Sequence, residues 1–94
     1  MRIQKNLSDL SDELTRARED LRIVEEQLLF QSDVVEEAKT RMLVSETPIA
    51  DREFRIARDD LDRLQREREK LIEVIGELRG AQDRLLDRML GSRA

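Results

Sequence analysis

The sequence predicts an all-α protein: a long antiparallel two-helix coiled-coil hairpin, with dimerisation into a four-helix bundle as its expected assembly. Three observations carry this expectation. Apolar residues recur at alternating steps of four and three through both halves of the chain, the pattern of a coiled-coil seam. The only proline, Pro48, stands near the midpoint and divides the pattern. Finally, 43% of the 94 residues are charged and 2% aromatic, which leaves too few large apolar side chains for a globular core but enough for a narrow seam.

The first helix is expected over about residues 4–44. Its seam reads Ile3, Leu7, Leu10, Leu14, Ala17, Leu21, Val24, Leu28, Gln31, Val35, Ala38 and Met42. Leu7 takes heptad position a, Ile3 and Leu10 take d, and Gln31 is the one polar interruption. Ser8 or Ser11 offers a cap for a later start, but the heptads run upstream of both and favour a start near Gln4.

The turn is expected at residues 45–47, in Ser45-Glu46-Thr47-Pro48. Proline lacks an amide hydrogen, and its fixed φ suits the first turn of a helix but not the interior. Thr47 in front of it has the hydroxyl of an N-cap. So short a connection folds the helices back antiparallel.

The second helix is expected over about residues 48–90, with the seam Ala50, Phe54, Ala57, Leu61, Leu64, Arg68, Leu71, Ile75, Leu78, Gln82, Leu85 and Met89. Arg68 and Gln82 interrupt it. Gly91-Ser92-Arg93-Ala94 is a stop signal and is expected to fray. The whole of 1–94 reads as one hairpin. The favoured register sets Met42 against Ala50, Ala38 against Phe54, Val35 against Ala57 and Ala17 against Ile75, so that small residues oppose large ones. It also brings Arg41 near Glu53 and Lys39 near Asp51, whereas a slip by one heptad brings Lys39 against Arg58 and Arg18 against Arg79.

The net charge of −4 argues against several partners. Residues 1–46 hold seven Lys/Arg against eleven Asp/Glu, and residues 47–94 hold eleven of each, so there is no basic face for nucleic acid or for a membrane surface. No apolar run approaches the ~20 residues of a membrane span, and Met1–Leu7 does not resemble a signal peptide. Without cysteine there is neither disulfide nor thiolate metal site. A cytoplasmic setting is expected, and the excess of arginine over lysine, fifteen to three, hints at a GC-rich bacterial genome.

Catalytic parts are also missing. Histidine, cysteine and tyrosine are absent, which removes Ser-His and Cys-His nucleophile pairs. Gly76 and Gly80 form a Gly-x-x-x-Gly, but inside a charged helix and not after a strand, so no phosphate loop follows. The expectation is a non-enzymatic protein that uses no cofactor or metal.

Two readings of function remain. The first rests on apolar residues outside the seam. Ile23 and Phe30 occupy c positions, Val34 follows one turn on, Ile72 and Leu86 occupy e, Val74 occupies g and Ile56 occupies c. A lone hairpin leaves these in water, while bundles of more than two helices bury them. Ile23, Phe30, Val34, Ile72, Val74 and Leu86 are therefore the expected association surface, for a second copy or for another protein. The second reading places function on the tip carboxylates Glu46, Asp51 and Glu53, which resemble in outline the acidic hairpin tips of transcript-cleavage factors that enter the RNA polymerase secondary channel. Those factors add a globular docking domain for which this chain has no residues left. Asp51 and Glu53 also suit the first turns of helix 2, where negative charge complements the helix dipole.

In architecture the chain resembles the small secreted helical hairpins with a Trp-x-Gly turn, but Ser45-Glu46-Thr47-Pro48 departs from that motif. Its heptads are similar, over the whole chain, to those of small bacterial antiparallel coiled-coil hairpins of unassigned role.

Overall fold

The structure is a computed structural model and describes residues 5–91. Two long α-helices, α1 (Leu7–Ser45) and α2 (Pro48–Gly91), pack against each other, and no strand occurs among the described residues. The predicted hairpin is therefore present, with small shifts at its ends.

The start of α1 differs from expectation for a local reason. Asn6 is the N-cap: its Oδ1 accepts a bond from the Asp9 amide at 2.8 Å, and its carbonyl accepts from Leu10 at 3.1 Å. The Asp9 carboxylate in turn accepts from the Asn6 amide at 3.5 Å, completing a reciprocal box. Ser8 and Ser11 lie within the helix. Ile3, the expected start at Gln4 and the tail residues Ser92, Arg93 and Ala94 lie outside the described residues. Gly91 closes α2 rather than following it.

The turn is two residues long. Glu46 adopts φ 52° and its amide donates to the Met42 carbonyl at 3.1 Å, a left-handed stop that most helices give to glycine. Thr47 then caps α2, its Oγ1 accepting from the Ala50 amide at 3.2 Å and its carbonyl from Asp51 at 3.1 Å. The absent amide of Pro48 goes unmissed at this position.

The chain divides into two compact units. The tip unit, Arg22–Glu69, contains the turn. Its core is Val35, Ala38 and Ala57, with Val34, Phe54 and Leu61 packed on them, and Val24 and Ala50 are also buried. The only buried residues of α2 are Ala50 and Ala57, small side chains that the register sets against larger ones of α1. Arg41 Nε stands 3.6 Å from Glu53 Oε2. Lys39 and Asp51, which the same register sets near each other, form no ion pair among the described residues, and both are exposed.

The end unit, Met1–Leu21 with Lys70–Ala94, buries Leu10, Leu14 and Ala17, while Leu71, Ile75, Leu78 and Leu85 are half-buried. Two helices alone cannot enclose every seam side chain, so much of the seam stays half-buried. Met89, expected in the seam, is 52% exposed.

Both polar interruptions in the tip-unit seam have partners on the other helix. Gln31 Nε2 donates to the Ala57 carbonyl at 3.0 Å, and Arg68 Nε lies 3.4 Å from Glu25 Oε2. Arg68 follows the snorkelling pattern, its stem along the seam and its head at a flanking carboxylate.

Candidate protein-protein interface

Heptad position decides which side of the hairpin an outer residue occupies. Because the helices run in opposite directions, the g flank of α1 meets the g flank of α2, and the c positions lie just outside those flanks. The ion pair between Arg41 and Glu53, both g residues, marks this side in the tip unit. A hollow on the same side is lined by Gln27, Phe30, Gln31, Arg63 and Leu64 among others, so Phe30 of α1 and Arg63 of α2, both c residues, share it.

Of the six residues expected to form an association surface, Ile23, Phe30, Ile72, Val74 and Leu86 are exposed. Val34 is half-buried and packs on the Val35–Ala38–Ala57 cluster, because a g side chain leans into the seam where alanines let the helices close up. The structure brings Ile23 and Phe30 onto the g/c side of the tip unit. In the end unit Val74 takes the g flank, whereas Ile72 and Leu86 take the e flank on the other side of the seam.

The structure also exposes apolar residues that the sequence reading passed over: Leu29, Leu43, Val44, Ile49 and Leu90. Their signal was present, since none sits at a or d. Val44 is the c residue two heptads beyond Phe30, and Ile49 is the c residue one heptad before Ile56. In the tip unit, Ile23 (40% exposed), Phe30 (72%) and Val44 (79%) of α1 and Ile49 (72%) and Ile56 (51%) of α2 are thus exposed apolar residues at c positions on the same side of the hairpin, with the Arg41–Glu53 ion pair at the g positions of that side.

The tip carboxylates are not gathered. Glu53 is engaged by Arg41, Glu46 is held at the left-handed turn position and Asp51 lies in the first turn of α2. No group of three acidic residues close enough to hold a metal ion occurs among the described residues. No helix among them is long and apolar enough to cross a membrane. The molecule defined by this geometry is a helical hairpin with an uncovered apolar side. No protein-family model, curated protein or solved structure matches the chain.

Proposed function

We propose that this chain is a non-enzymatic protein-protein interaction module, a small adaptor or scaffold that works through helix-helix contacts and self-associates as a homodimer, a four-helix bundle. The observation that carries the reading is the row of large apolar side chains outside the seam, with Phe30, Val44 and Ile49 each more than two-thirds exposed. Large exposed apolar side chains gathered on one side of a hairpin support an interaction site, and covering them with two further helices follows the packing rules of bundles. A cytoplasmic, bacterial setting belongs to the same proposal and draws its support from the cysteine-free, arginine-rich composition.

The alternative, an acidic tip inserted into a large machine such as RNA polymerase, draws less support, because Glu53 is already paired with Arg41 and the tip is flanked by the apolar Leu43, Val44 and Ile49. Light scattering across a dilution series, with circular dichroism on the same samples, tests the leading reading. A dimer of ~22 kDa, twice the 11.1 kDa chain, whose melting point rises with concentration is expected. A folded monomer at every concentration would refute self-association.

A further inference from the structure

The turn of the tip unit is poor in charge and acidic where it is charged. In a chain with 43% charged residues, the nine residues from Leu43 to Asp51 carry Glu46 and Asp51 and no Lys or Arg. Leu43, Val44 and Ile49 stand exposed among them. Glu46 and Asp51 are also exposed, and neither has an ion pair among the described residues. The end of α1 adds to the negative charge: the last carbonyls of a helix carry partial negative charge, and no basic residue lies in its last turn to offset them.

The end unit carries the opposite chemistry. A hollow there has Leu10, Ala81 and Leu85 in its lining, with Lys5, Arg84 and Arg88 around them. An adjoining hollow shares Lys5 and Leu85 and adds Leu7 and Met89. Glu13 holds Lys5 at 2.7 Å, and the Asp9 carboxylate is turned to the Asn6 amide. Arg84 and Arg88 are exposed and have no ion pair among the described residues. They stand four apart on one face of α2, where like charges destabilise a helix. A carboxylate brought to them relieves that repulsion.

We propose that the turn of one copy docks in this hollow of the next copy, Val44 and Ile49 against Leu10, Ala81 and Leu85, and Glu46 against Arg84 and Arg88. The contact is complementary in both respects, apolar to apolar and acid to base. A turn set against another turn would face Glu46 and Asp51 with their own copies, and hollow against hollow would face arginine with arginine. The two surfaces differ and every copy offers one of each, so the contact is heterologous and joins copies into rows or rings rather than pairs. This goes beyond the homodimer proposed above and does not depend on it.

Light scattering on the full chain, from micromolar to millimolar concentration, is expected to show masses that pass the ~22 kDa of a dimer. The masses should fall when salt is raised, because exposed charges are screened. Arg84→Glu in the hollow and Glu46→Arg at the turn are each expected to weaken this growth more than about tenfold. Both variants should keep full helicity by circular dichroism, and Arg84→Glu even gains a favourable pair with Arg88. An equimolar mixture of the two should regain the growth, since the reversed turn of one fits the reversed hollow of the other. Phe30→Glu, outside both surfaces, should leave it unchanged. Growth that survives both reversals, or a mixture that fails to regain it, overturns the inference. A mass that levels off at the dimer also overturns it, while leaving the homodimer reading intact. A monomer at every concentration sinks both.

Discussion

Ala38 and Phe54 provide the sharpest check on the seam. Ala38 is 1% exposed, the most buried residue reported in the core, and Phe54 packs on the cluster around it. Replacing Ala38 with leucine adds three carbons at a position with almost no accessible surface. The usual gain of ~0.8 kcal/mol per buried methylene is not available without room, and overpacking should instead cost about 1–3 kcal/mol. Phe54→Ala alone should cost about 2 kcal/mol, below the ~3–5 kcal/mol of fully buried aromatics, because the ring is only half-buried. Combined, the two substitutions exchange large for small across the seam. The double variant should therefore be more stable than the sum of the singles by at least about 1 kcal/mol. Urea unfolding followed by circular dichroism, at one fixed protein concentration, measures all four corners of the cycle. Strict additivity would show that Ala38 and Phe54 do not share space, and the register argument would fall with it.

Two further substitutions probe local structure. Thr47→Ala removes the Oγ1 acceptor of the Ala50 amide and should lower stability by about 1 kcal/mol, read as a lower urea midpoint with an unchanged slope. Gly76→Ala places a methyl that meets nothing within 4 Å and should stabilise by about 1 kcal/mol, a rise of several degrees in melting temperature. Gly80→Ala should gain less, since the added carbon lies 3.2 Å from the Arg84 guanidinium and that side chain must move.

Much of the fold was legible from sequence because helical hairpins are governed by local rules. A seam with a period of 3.5 residues, one proline and one capping threonine define two helices and their reversal, and each of these signals acts within a few residues of itself. The start of α1 was legible too, in Asn6 and Asp9, but the heptads upstream outweighed a cap spaced like a capping box with aspartate in place of glutamate. The apolar surface was only partly recognised. Phe30 and Ile23 stand out because they lie seven residues apart, whereas Val44, at the end of the first expected helix, and Ile49, in the first turn of the second, are equally apolar and also at c but were not counted in the association surface.

The sequence by itself determined that there are two helices, that they are antiparallel, which residues form most of the seam and that no histidine or cysteine chemistry operates. Periodicity and composition are sufficient for those conclusions. The tertiary structure decided which seam residues are truly buried, as in the tip unit where Ala38 and Ala57 are buried with Val35 and Phe54 packs on them. It decided that Gln31 and Arg68 find partners on the opposite helix, which no pattern along one strand of sequence contains. It also separated Val34, drawn into the core, from Phe30, left on the outside. The difference between them is a matter of side-chain direction in three dimensions rather than of hydrophobicity.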